Sequence, residues 1–196
     1  MAVETLAPEL VRAFVIAGHG DLQKVTELLA AHPGLLTVAH EWGPGDTETA
    51  LQGASHVGNA AVAEYLLTRG APMEICTAAM LGRRNAVEQM LREDPGRIHA
   101  RGAHGIPLLA HAAQSGNVEL VAELVERGAT DGMDAALSNA VSRGHLALAG
   151  WLLEHGRPDP DWKNYQGKTV LMIAHERQDV EMAALLERFG AGQRTS

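Results

Sequence analysis

The chain has 196 residues, of which 46% are apolar and only 4% aromatic, and it carries 16 Lys and Arg against 24 Asp and Glu, a net charge of −8. The acidic balance disfavours a nucleic-acid backbone as partner, and the single Cys excludes an intramolecular disulfide. No stretch approaches the roughly 20 consecutive apolar residues of a membrane span, and the start, MAVETLAPEL, lacks the basic and apolar regions of a signal peptide. These features predict a cytoplasmic chain with no membrane partner.

In chain order, a first helix opens near Leu6, with Pro8 tolerated in its first turn. It turns at Gly20 into a second helix that ends at His32-Pro33. A long connector, about Pro33–Glu48, follows and contains the turn-prone WGPGD. Thr49 is a plausible N-cap, and Leu51, Ala54 and Ser55 make one buried stripe at helical spacing. Gly58 permits a tight turn, Val62, Ala63, Leu66 and Leu67 form the next apolar face, and Gly70 stops the helix. After the short connector Ala71–Glu74 a third unit turns at Gly82 and ends at Asp94-Pro95, before a second long connector, Gly96–Pro107. The fourth unit buries Leu109, Ala112, Ala113, Val121, Leu124 and Val125 around Gly116. The fifth buries Leu137, Ala140, Val141, Ala149, Leu152 and Leu153 around Gly144. A third long connector, Pro158–Thr169, leads to a sixth unit turning at Gln178, and residues 192–196 read as a disordered tail.

Aligned on the turn, the six units share a register. Four residues before it stand Ile16, Ala54, Ala78, Ala112, Ala140 and Ala174; eight after it stand Leu28, Leu66, Met90, Leu124, Leu152 and Leu186. The steps between turns are 38, 24, 34, 28 and 34 residues, so long connectors follow units one, three and five. Such a chain is a stack in which each unit covers its neighbour's apolar face.

The phrases TALQGASHVGNAAVAEYLLTRGA (Thr49–Ala71) and LLAHAAQSGNVELVAELVERGA (Leu108–Ala129) closely resemble the ankyrin repeat. Gly-Asn or Gly-His stands at the turn in Gly58-Asn59, Gly116-Asn117 and Gly144-His145, and Gly-Ala closes units at Gly70-Ala71, Gly128-Ala129 and Gly190-Ala191. The Thr-Pro helix opening is nowhere intact, and Gln178 replaces Gly in the last copy. The resemblance implies an all-α ankyrin-repeat solenoid of stacked helix–turn–helix units with finger loops after repeats one, three and five. The chain reads as one domain, with repeats at approximately 6–32, 47–71, 72–95, 105–129, 132–157 and 167–191.

Two surfaces are candidate partner sites. On the fingers, Trp42, Trp162 and Tyr165 lie off the repeat core, either as binding anchors or as braces between repeats. Lys163 stands beside the last two, and Arg101 and His104 belong to a local positive spot that could receive an acidic segment. The second surface is the inner-helix row implied by the resemblance, a concave groove holding His56, Thr77, Met80, His111, Gln114, Asn139 and Arg143.

No catalytic or metal-binding pattern is legible. Paired His four apart with an adjacent Glu are absent, His99 and His104 lie five apart in a loop, and neither a nucleophile elbow nor a phosphate loop occurs. Cys76 occupies a position where a small buried residue is expected. The sequence therefore predicts a monomeric, non-enzymatic module without metal or cofactor, acting stoichiometrically on another protein. A dedicated inhibitor or antitoxin-like neutraliser of one enzyme is the alternative; a ligand- or metal-binding enzyme is disfavoured.

Overall fold

Apolar residues three and four apart, interrupted at each turn, produce six helix–turn–helix pairs among residues 6–192, which the computed structural model describes. The pairs are α1 (Pro8–Gly18) with α2 (Leu22–Ala31), α3 (Ala50–Val57) with α4 (Ala60–Thr68), and α5 (Ile75–Met80) with α6 (Arg84–Glu93). They continue with α7 (Leu108–Ala113) and α8 (Val118–Glu126), α9 (Met133–Arg143) and α10 (Leu146–His155), and α11 (Val170–Glu176) and α12 (Val180–Arg188). The first helices of the pairs stack in sequence order, α1 on α3, α3 on α5, α5 on α7, α7 on α9 and α9 on α11. The expected tail falls largely on residues 193–196, outside the described residues.

Local polar chemistry sets the helix starts. Thr49 accepts from the Gln52 amide while the Gln52 side chain accepts from the Thr49 amide, a reciprocal capping box. After the turns, Asp21, Asn59, Asn117 and Asp179 each accept an amide of the second helix's first turn, which would otherwise lack a partner. The turn residue is left-handed at Gly58, Gly82, Gly116 and Gly144, with φ of 67–75°. Gln178 holds the same conformation at φ 57°, against the usual steric preference of a residue with a Cβ.

Burial follows the sequence register. Ala54, Ala78, Ala112, Ala140 and Ala174 are sealed, as are Leu66, Leu124, Leu152 and Leu186, while Met90 and Leu28 are partly covered. Small residues on the first helices let neighbouring repeats approach closely. Ala140 is 0% exposed, so Ala140→Leu should overpack repeat five and cost about 1–3 kcal/mol in denaturant melts. An unchanged melt would show that Ala140 does not face the α7 and α11 contacts.

The middle of the stack departs from an open row. Helices α5 and α7 have six residues each and every one is buried. Over the short α5, side chains of repeats two and four meet directly. Ser55 Oγ lies 3.2 Å from His111 Nδ1, Gln114 Nε2 donates to the His56 carbonyl at 3.0 Å, and Arg143 reaches back from repeat five to donate to the Val57 carbonyl. The first and second fingers also touch. Finger one is a hairpin, β1 (Ala39–Gly43) antiparallel to β2 (Asp46–Thr49), pairing His40 with Glu48 and irregular between Glu41 and Gly43. Among the described residues it adds two short strands to a mostly helical fold. Finger two consists of 3-10 turns at Pro95–His99 and Ala103–Gly105, and the second of these packs on β2 and α3.

Candidate functional site

The hairpin places Glu48 between α1 and α3, where it is 0% exposed. Its Oε2 accepts from the Trp42 indole N–H at 2.7 Å, so Oε1 is left to face inward. Three imidazoles surround Oε1: His56 Nε2 at 2.9 Å, His19 Nε2 at 3.5 Å and His104 Nε2 at 3.5 Å. His19 caps the end of α1, His56 lies in α3, and His104 comes from finger two. His19 and His56 meet edge-on with their Nε2 atoms 3.0 Å apart.

Glu48, His19 and His104 are each held from behind. The His19 Nδ1 donates to the Val15 carbonyl at 3.0 Å, because a carbonyl can only accept. The His104 Nδ1 faces Asp46 Oδ2 at 2.8 Å. The missing side chain of Gly53 makes room for the group: a Cβ there would stand 3.0 Å from the His19 ring and 3.5 Å from Glu48 Oε1. Polar contact with Glu48 raises the His19 pKa above the usual imidazole value, against the opposing effect of burial. Burial alone would raise the Glu48 pKa; contacts from His19, His56 and Trp42 outweigh it and hold the carboxyl well below the usual carboxylate range.

The predicted site residues therefore fall into groups. Trp42, 36% exposed, is tied to Glu48 and meets His40 edge-on at 4.5 Å, with the Arg12 guanidinium 5.8 Å above its ring. Arg101 donates to Asp131 at 2.8 Å and to the Gly105 carbonyl at 2.9 Å, so part of the positive spot on finger two is neutralised within the chain. Trp162 is half-buried, Lys163 is exposed and Tyr165 is 94% exposed. On the inner row, Thr77, Met80 and His111 are buried, which corrects their expected place on an open groove. The physical reason is the shortness of α5, which lets repeats two and four close over it. His56 belongs to the Glu48 cluster. Gln114, Asn139 and Arg143 remain partly or fully accessible, although each bonds across repeats: Asn139 to the Ala110 carbonyl at 2.9 Å, and Arg143 Nε to Gln114 Oε1 at 3.0 Å.

The convergence of His19, Glu48, His56 and His104 has no spacing signature, since the four donors come from four separate segments. Cys76 is buried and its thiol is pushed up to about 12, by burial first and by nearby Glu74 second, so it is a poor nucleophile. Among the described residues no helix is long and apolar enough to cross a membrane.

A stack of helix pairs with left-handed turns and finger loops defines a repeat protein of the solenoid class. The ankyrin-repeat family profile, in a form spanning three copies, matches residues 75–158 and 109–193. The chain belongs to the ankyrin-repeat family. It is similar to ankyrin repeat protein nuc-2 of Neurospora crassa, with 26% identity over 95% of this chain and 19% of that protein. It is also similar to an ankyrin repeat-containing protein of Treponema pallidum, with 34% identity over 46% of this chain and 32% of that one. The chain thus spans about a fifth and a third of the relatives it matches. Ankyrin repeats are generally protein–protein interaction modules.

Proposed function

We propose that this protein acts in the cytoplasm as a monomeric, non-catalytic module that binds another protein stoichiometrically, with the third finger and the inner face of repeats four and five as its recognition surfaces. Tyr165 carries the proposal. Its ring is 94% exposed at the end of a finger, and its hydroxyl accepts only a local bond from Gln166 at 3.1 Å. A large, nearly rigid ring at a loop tip contributes little to the fold and is a favoured binding anchor. Trp162 and Lys163 extend the finger, and Gln114, Asn139 and Arg143 supply polar groups on the inner face. Arg101 and His104 mark the edge of the second finger. Trp42 is assigned to bracing, because its indole is already engaged by Glu48.

A crosslinked pull-down from the native cell identifies the partner, and titration of the purified pair tests the surface. Tyr165→Ala should weaken binding at least about tenfold, while its stability changes by about 0.5 kcal/mol or less. Unchanged affinity in Tyr165→Ala and Trp162→Ala would remove the third finger from the interface. A one-to-one complex that abolishes a partner enzyme's activity would narrow the reading to a dedicated inhibitor.

A further inference from the structure

The three imidazoles and the carboxylate at the base of the fingers share a geometry that ion pairing alone leaves unexplained. Glu48 Oε1 is buried and lies within 3.5 Å of three ring nitrogens, yet none bonds to it with hydrogen-bond geometry. The Val15 carbonyl commits the proton of neutral His19 to Nδ1, so its Nε2 presents a lone pair to the cluster. The Asp46 carboxylate does the same for neutral His104. The His19 lone pair can accept from His56 Nε2–H at 3.0 Å, but the buried Glu48 Oε1 is then left without a donor.

We propose that His19, Glu48 and His56 form a binding site for one divalent transition-metal ion of the zinc class. The ion joins the end of α1, helix α3 and the hairpin, beside the second finger. Zinc binds imidazole nitrogen and carboxylate oxygen at about 2.0–2.2 Å, which separates tetrahedral ligand atoms by about 3.3 Å. The separations within the triad bracket that value: 2.9 Å from His56 Nε2 to Glu48 Oε1, 3.0 Å between His56 and His19 Nε2, and 3.5 Å from Oε1 to His19 Nε2. The candidate ligand atoms of His19, Glu48 and His56 all lie within 4.8 Å of one another. His104 stands beside this triad, its Nε2 3.5 Å from Oε1.

The surrounding contacts match those that orient metal ligands. A histidine ligand normally donates its other ring nitrogen to a carbonyl or carboxylate; the Val15 carbonyl fills this role for His19 at 3.0 Å. Trp42 fixes the far oxygen of Glu48, turning Oε1 inward. His104 itself sits at φ 57°, a left-handed conformation for a residue with a Cβ, and this brings its ring back from finger two onto finger one. Two nitrogens and one oxygen suit zinc or cobalt, whereas calcium and magnesium prefer oxygen-rich shells. With three protein ligands the fourth position is left to water, and the ion ties the hairpin to α1 and α3.

The test uses the full chain stripped of metal with a chelator and titrated with Co²⁺, then with Zn²⁺. The expected result is one equivalent of Co²⁺ with the strong visible absorption of tetrahedral coordination, displaced by one equivalent of Zn²⁺. Saturating Zn²⁺ should raise the melting temperature by about 5 °C or more. The double variant His19→Gln/His56→Gln, with its fold checked by circular dichroism, should lose both signals. Trp42→Phe changes no ligand and lies at an exposed position, so it serves even where the double variant fails to fold; by freeing the far oxygen of Glu48 it should weaken Co²⁺ binding roughly 10–100-fold. Absence of stoichiometric Co²⁺ or Zn²⁺ binding overturns the site, and so does binding that survives the double variant or is unmoved by Trp42→Phe. No partner protein enters this experiment, so its outcome is independent of the proposed recognition surface.

Discussion

Gly18→Ala is expected to destabilise the N-terminal end of the stack by about 3 kcal/mol, the upper part of the range for overpacking a close contact. A Cβ at Gly18 would stand 2.5 Å from the Ala50 carbonyl oxygen, 2.8 Å from its Cα and 2.9 Å from its Cβ. Two of these atoms are backbone and the third is fixed to it, so no change of rotamer makes room. Helix α1 would have to lift from α3, opening the core that Phe14, Val15, Ala50 and Ala54 share. For a chain of this size that loss corresponds to a fall of roughly 6–12 °C in melting temperature. Stacked repeats can also unfold in parts, so an early separate transition carrying the first repeat is an equivalent signature. Gly20→Ala is the control. Nothing lies within 4 Å of its Cβ position and its φ is not left-handed, so the change should be neutral or stabilise by up to about 1 kcal/mol. Indistinguishable melts for Gly18→Ala and the parent protein would show that α1 and α3 do not pack at this distance.

The repeat architecture is legible in the sequence because its determinants are local and recur. Ala140 and Leu152 stand at fixed distances from Gly144 and are sealed at 0% exposure, and their equivalents behave alike in repeats two and four. The capping role of Thr49 is equally local, since Gln52 stands three residues on. The hairpin in finger one is less legible: WGPGD signals a turn, but not that its flanks pair as strands. The inner row is misread for a geometric reason. Helix α5 has only six residues, and that shortness lets Ser55 meet His111 across it. The His–Glu cluster is the least legible feature. Its four donors sit at positions 19, 48, 56 and 104, and only the stacking of α1 on α3 and of finger two on β2 unites them.

The same closure over α5 makes a pH-dependent stability the second large effect. His111 is 1% exposed, and burial lowers its pKa from 6.5 to about 4. Proximity to His56 lowers it further, against the opposing effect of its contact with Ser55. The unfolded chain therefore binds a proton near pH 6.5 that the folded chain refuses until about pH 4. Stability is full above the unfolded value and falls as the pH drops through this window, by up to about 1.4 kcal/mol per pH unit. The raised pKa of His19 acts in the opposite sense, favouring the folded state on acidification, and the depressed Glu48 carboxyl adds a loss only below its usual range. Comparison with His111→Gln isolates one group from the others. Urea melts at pH 7, 6 and 5 should show the parent protein losing stability faster than the variant, by about 1 kcal/mol or slightly more per unit below pH 6.5. A constant offset between the two reports lost packing and is separate from the slope. Parallel pH dependences would show that His111 is not held neutral, and that water reaches it between repeats two and four.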